Sequence, residues 1–152
     1  MLRNQLHKFI IATLAACLLS GCAMQMVSKY DDQTDANVTV LQKKLDTFFV
    51  NLKNESYPDC SYSKNKSFYD DVKVQLSGIQ VRANAIPNNN ITIQELDALS
   101  KGISGLEKNQ KLKDNDNACL NPAIIDADQT MFNSMFTAIL KLEIAKKRGE
   151  AK

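Results

Sequence analysis

Four stretches of this chain set apolar side chains three and four residues apart, the spacing of helices with one buried face. In the first, Tyr30, Thr34, Val38, Leu41, Leu45, Phe48 and Leu52 share a face that leaves Asp35, Gln42, Lys43, Asp46 and Lys53 elsewhere. Phe68, Val72, Leu76, Ile79, Ala83 and Ile86 repeat the pattern until Pro87 and Asn88-Asn89-Asn90 end it, because proline lacks an amide and disfavours helix just before itself. The third opens on Thr92-Ile93-Gln94-Glu95, the order of a capping box, with Ile91 and Leu96 as its hydrophobic staple. Leu96, Leu99, Ile103 and Leu106 continue the stripe across Gly102 and Gly105, each weaker than alanine in a helix by about 1 kcal/mol. The fourth starts at Asn121-Pro122, an N-cap and a proline at the tolerated first position. Its face is the broadest, with Ile124, Ile125, Met131, Phe132, Met135, Phe136, Ile139, Leu140 and Leu142, which predicts a helix at the centre of the core. The fold class is therefore all-α, an antiparallel up-down four-helix bundle over residues 30–148.

The amino terminus reads differently. Arg3, His7 and Lys8 precede an apolar run from Phe9 to Leu19, about 11 residues against the ~20 that span a bilayer. Leu19-Ser20-Gly21-Cys22 closes it. This segment resembles the lipobox signal of bacterial lipoproteins. The resemblance implies cleavage between Gly21 and Cys22, a diacylglycerol on the Cys22 thiol, and no other cofactor. It divides the chain into a signal (1–21), a lipidated tether (22–29), the bundle (30–148) and a basic tail (149–152). Ala23 after the acylated cysteine implies the outer membrane rather than the inner one, on its periplasmic face. Tyr30-Asp31-Asp32-Gln33-Thr34-Asp35, Leu41-Gln42-Lys43-Lys44, Phe68-Tyr69-Asp70-Asp71-Val72 and Leu140-Lys141-Leu142-Glu143 also resemble small Gram-negative envelope lipoproteins, which implies no activity.

With Cys17 lost in the signal and Cys22 acylated, Cys60 and Cys119 remain. One pairing is open to them in an oxidising compartment; two unpaired thiols are the alternative. Zinc lacks ligands, since the only histidine is His7 and two thiolates do not complete a tetrahedral site. Cys60 lies between the first two helices and Cys119 between the last two. In an up-down bundle those connections share one end, so a Cys60–Cys119 disulfide fits the topology without rearrangement. Helix one leaves the anchor, which turns this bridged end away from the bilayer. Pro87–Ile91 and the carboxyl end, with Lys146, Lys147, Arg148 and Lys152, return towards it. There each cation can add up to ~1 kcal/mol against anionic headgroups or simply complement the helix dipole.

Residues 1–21 hold two of the 19 Lys and Arg and none of the 17 Asp and Glu, so 17 of each sign remain. A neutral body argues against nucleic acid as a partner. Without histidine in the mature chain, Ser-His-Asp and Cys-His catalysis and histidine-ligated metals are excluded. Gly-rich phosphate loops are absent from the sequence. Asp31, Asp32 and Asp35 suit the positive end of a helix. Asp114-Asn115-Asp116-Asn117 opens like a calcium loop, but Cys119 and Ile125 occupy the glycine and bidentate glutamate positions, so no metal site is assigned. Asp70 and Asp71 are expected in the first turn of helix two. Arg82 borders the second apolar stripe, where its planar fork suits a partly buried pair with Glu143 across the bundle; the alternative is an exposed side chain. Tyr57, Tyr62 and Tyr69 form either a surface patch or packing around the disulfide.

These features point to a non-enzymatic, membrane-anchored periplasmic lipoprotein that serves as a protein-interaction or structural module of the envelope, with the membrane and an envelope protein as partners. One alternative is a carrier, with Met131, Phe132, Met135 and Phe136 lining a core cavity for a lipid or other apolar ligand. Another is a surface or entry-exclusion lipoprotein of a mobile element.

Overall fold

A computed structural model describes residues 27–150; the signal, the Gly21–Cys22 cleavage site, Ala23 and Lys152 lie outside the described residues. Four helices follow one another: α1 (Asp32–Asn54), α2 (Tyr62–Ala85), α3 (Asn90–Asn115) and α4 (Pro122–Glu150). Their contacts close a ring, α1 on α2, α2 on α3, α3 on α4 and α4 on α1, while the diagonal pairs α1/α3 and α2/α4 stay apart. This is the four-helix bundle that the apolar spacing predicts. None of these helices is long and apolar enough to cross a membrane.

Local chemistry sets the helix starts. Asp31 caps α1, accepting from the Thr34 amide at 2.9 Å and the Thr34 hydroxyl at 2.5 Å, with Asp32 and Asp35 in the first turn. At α4, the Asn121 side chain accepts from the Ala123 amide at 2.8 Å and its carbonyl from Ile124 and Ile125. The start of α2 lies farther back than its stripe suggests. Ser61 caps it by accepting from the Lys64 amide, and Tyr62 stacks towards Tyr69 at 5.8 Å. Asp70 and Asp71 therefore sit inside α2, not in its first turn, and pair with Lys66 and Lys44.

The capping box at Thr92 does not form. The Asn89 carbonyl accepts the first helical bond, from Ile93 at 3.1 Å, so α3 begins at Asn90. Thr92 then falls inside the first turn, buried, and Ile91 is exposed, which leaves no staple. At its other end α3 continues past Leu106 into a Schellman turn, with Ala118 N–H donating to the Lys113 carbonyl and Asn117 N–H to that of Asp114. Asn117 takes the left-handed φ of 51° that this termination requires. The stretch that opens like a calcium loop is thus a helix end.

The core takes Val38, Leu41, Leu45 and Phe49 from α1, Val72, Leu76 and Ile79 from α2, Leu96, Leu99 and Ile103 from α3, and Phe132, Phe136 and Ile139 from α4. No helix is central: α4 touches only α1 and α3, and Ile124, Met131 and Ile144 stay exposed. At Gly102 an added Cβ would stand 3.2 Å from Phe132, so the bare backbone there lets α3 and α4 approach closely.

Cys60 and Cys119 are bonded, with Cα atoms 5.6 Å apart, and join the α1–α2 and α3–α4 connections at one end. The bridge closes a loop across 59 positions. Paired Cys60→Ser and Cys119→Ser substitutions should destabilise the chain by about 4 kcal/mol, read as a lower urea midpoint under non-reducing conditions.

Candidate functional site

The unusual chemistry gathers at the two ends of the bundle. At the end away from the disulfide, Glu143 and Lys146 occupy core positions of α4, in register with Phe136 and Ile139, and both are buried. The Lys146 ammonium donates three times, to Glu143 Oε1 at 2.6 Å, Thr92 Oγ1 at 2.7 Å and Asn89 Oδ1 at 2.8 Å. Thr92 in turn donates to Glu143 Oε1 at 3.0 Å. The second Glu143 oxygen, Oε2, is buried with no hydrogen-bond partner among the described residues. Asn89 binds the cluster to its surroundings, its Nδ2 donating to the Ala83 carbonyl at 3.0 Å and its Oδ1 accepting from Ser28 Oγ at 2.8 Å.

The segment entering the bundle is held here. Ser28 N–H donates to the Asn88 carbonyl at 2.9 Å, and Tyr30 N–H donates to Glu150 at 2.6 Å. The Lys147 ammonium lies 5.0 Å from the centre of the Tyr30 ring. A hydrogen bond from its hydroxyl to Asp35 pushes the Tyr30 phenol up to about 12. Lys146 is therefore no membrane-facing cation; of the expected basic cluster, Lys147 and Arg148 are the exposed members described.

The Arg82–Glu143 pair is absent. Arg82 donates to both Asp31 oxygens, at 2.6 and 2.5 Å, because α2 neighbours α1 and lies diagonal to α4. The guanidinium holds the Asp31 carboxyl down to about 2, aided by the bonds from Thr34.

At the disulfide end, the Tyr69 hydroxyl donates to Gln110 Oε1 at 2.6 Å, and Gln110 Nε2 donates to the Cys60 carbonyl at 2.7 Å. Tyr62 donates to Glu107 at 3.2 Å. Burial alone would raise the Glu107 carboxyl; the ammonium groups of Lys111 and Lys73, at 2.9 and 2.5 Å, overcome it and hold the group down to about 2. Tyr57, Tyr62 and Tyr69 do not form a surface patch. Tyr69 is wholly buried and Tyr62 packs on it, while Tyr57 is exposed and donates to Asn117 at 2.9 Å.

Two open hollows mark the surface. One, about 560 Å3, lies over the outer face of α4 along Thr130, Ser134, Thr137 and Lys141. The other, about 470 Å3, runs between α1 and α2 over Phe48 and Phe68, rimmed by Lys43, Lys44, Thr47, Asn51 and Asn65. Phe132 and Phe136 line neither, being closed in the core, and Met131 lies at the surface. Among the described residues no three Cys, Asp or Glu side chains converge to hold a metal. No protein family, curated protein or solved structure matches the chain.

The buried α4 pair was not expected, although Ile139, Glu143 and Lys146 continue the apolar steps of four and three. Gln110 likewise extends Leu99, Ile103 and Leu106. A charge or amide standing in a core register is the signal for both networks.

Two predictions follow from these ends. Lys146→Met strands the Glu143 carboxylate and should cost about 3–5 kcal/mol, whereas Lys146→Met with Glu143→Leu should recover most of that; urea unfolding of the three proteins checks the order. Asp31 and Glu107 bind protons more weakly folded than unfolded. Their stabilisation is complete above the ordinary carboxylate range and should fade as pH falls through about 4.5 towards 2, with Asp31→Asn and Glu107→Gln each flattening the acid limb of the urea midpoint against pH.

Proposed function

We propose that this chain is a non-enzymatic lipoprotein of a bacterial envelope, anchored through Cys22, that holds its disulfide end away from the bilayer for an envelope protein to bind. One observation carries the reading. The segment that follows Cys22 is tied at Ser28 and Tyr30 into the end of the bundle opposite the disulfide. An anchor on Cys22 then leaves a short tether and a fixed stance, with the carboxyl end of α4 near the membrane. Lys147 and Arg148 would face headgroups there, each adding up to ~1 kcal/mol where these are anionic. Ala23 supports the outer membrane, on its periplasmic face. A carrier role would turn on Phe132 and Phe136, and those side chains are engaged in closing the core.

The non-enzymatic part rests on the sequence: the one histidine, His7, falls in the proposed signal. Acid–base catalysis would have to run on carboxylates, lysines and tyrosines, and some of these are engaged in ion pairs between or along the helices.

Radiolabelled palmitate should enter the parent chain and not Cys22→Ser, which should leave the membrane fraction. A photocrosslinking side chain at Tyr57 should capture one discrete protein, and one at Ile144 should capture lipid. Acylation of Cys22→Ser, or lipid captured at Tyr57, would overturn the stance.

A further inference from the structure

The groove between α1 and α2 uses chemistry that neither end of the bundle needs. Phe48 and Phe68 stack in its floor, with ring centres 3.8 Å apart and planes 10° from parallel. Its rim is polar, and the rim groups differ in what they have left to offer. Lys44 is bound by Asp71 of α2. Lys43, one residue earlier and exposed, has no carboxylate within 4.0 Å among the described residues, so its ammonium is held in no ion pair. Asn65 has both amide protons engaged, donating to the carbonyls of Asp59 at 3.0 Å and Ser61 at 2.9 Å, which fixes the side chain and leaves Oδ1 to accept. Asn51, on the facing helix, has no hydrogen-bond partner among the described residues, so its donor and acceptor are both free.

We infer that this groove binds an extended acidic peptide segment of the partner protein, with an apolar side chain over Phe48 and Phe68, the peptide backbone on Asn51 and Asn65, and a carboxylate on Lys43. The inference rests on the proposed protein-binding role and names its site. A primary amide carries the same donor and acceptor pair as a peptide group, so asparagines on both walls suit a main chain running between them. An acyl chain in the same place would strip water from those amides without replacing it. A nucleic acid would need a row of free cations, and Asp71 removes Lys44 from any such row. A hollow of about 470 Å3 falls within the usual range for a site holding a few residues' worth of ligand.

The test uses the full-length chain in detergent and two fluorescein-labelled pentapeptide amides, one alternating leucine with aspartate, the other leucine with asparagine. Fluorescence anisotropy should show the acidic peptide binding about tenfold more tightly than the neutral one. Lys43→Glu and Asn51→Leu should each weaken it by about tenfold, with helicity by circular dichroism unchanged because both side chains are exposed. Oleate should not compete. Equal binding of the two peptides, indifference to Lys43→Glu, or displacement by oleate would overturn the inference, the last by assigning the groove to lipid. Peptide binding retained by a chain that takes no palmitate would sink the anchor and spare the groove; acylation with no peptide binding would sink the groove alone.

Discussion

An ammonium group cannot be buried without replacing its water, and at Lys146 that requirement organises one whole end of the protein. Taking a charge of this kind out of solvent costs several kcal/mol. Three acceptors from three parts of the chain meet it: Glu143 on its own helix, Thr92 in the first turn of α3, and Asn89 in the turn before. Each acceptor constrains its segment. Thr92 must lie inside α3 rather than cap it, so the helix starts at Asn90. Asn89 must point inward, which the left-handed φ of 59° at Asn88, just after Pro87, helps to arrange. Asn89 Oδ1 also accepts from Ser28, so the atom that satisfies Lys146 also fixes where the chain enters the bundle. An apolar replacement could match the pair in stability, but it would take away the ammonium that helps to hold Asn89 Oδ1 turned inward, where Ser28 meets it. The cluster's contribution is therefore directional.

The opposite end is closed differently, and the connections there explain why. A short turn, Ile86–Asn89, joins α2 to α3 at the Lys146 end and loses little entropy on closing. Residues 55–61 and 116–121 at the other end are longer, and they lie side by side without being neighbours in sequence. Covalent closure at Cys60–Cys119 removes the entropy that non-covalent contacts would have to overcome. Gln110 then spans from Tyr69 to the Cys60 carbonyl and ties the bridge to the core. Each end thus relies on one polar or covalent device inserted in an apolar register.

Much of this was legible in the sequence, and the exceptions share a cause. Steps of three and four located all four helices, and cysteine placement gave the connectivity of their ends. Asp31 and Asn121 were readable as caps because capping is local chemistry. Tyr69 and Phe49 escaped the stripes because each is adjacent to a residue already assigned to the buried face, Phe68 or Phe48, and a helix in contact with two neighbours buries both. Arg82 is exposed, one of the two readings open to it, but its partner is Asp31 and not Glu143, for a reason no single helix contains. Which helices are diagonal depends on the ring closing as α1–α2–α3–α4, and only that order forbids Arg82 from reaching Glu143. Lys146 was misjudged because a lysine near a helix carboxyl end reads as a solvated dipole partner, although its register with Ile139 and Glu143 placed it inside.

The charge arrangement also bears on how such a protein would find a partner. The chain beyond residue 21 balances 17 cations with 17 anions, and among the described residues some are matched between helices or against a helix cap, in Lys44–Asp71, Lys53–Asp126, Lys73–Glu107 and Arg82–Asp31. Such a surface has little long-range field with which to steer encounter. Recognition must then come from short-range contrast, one unmatched ammonium beside an aromatic floor, and a single small groove of that kind binds weakly by itself. The proposed Cys22 anchor compensates for this. Confining both proteins to one membrane raises their effective concentration without any new contact, provided the groove is held where the partner can reach it. On that proposal the buried Lys146 cluster would meet the condition by fixing where the chain enters the bundle, and weak recognition at one end would depend on rigid attachment at the other.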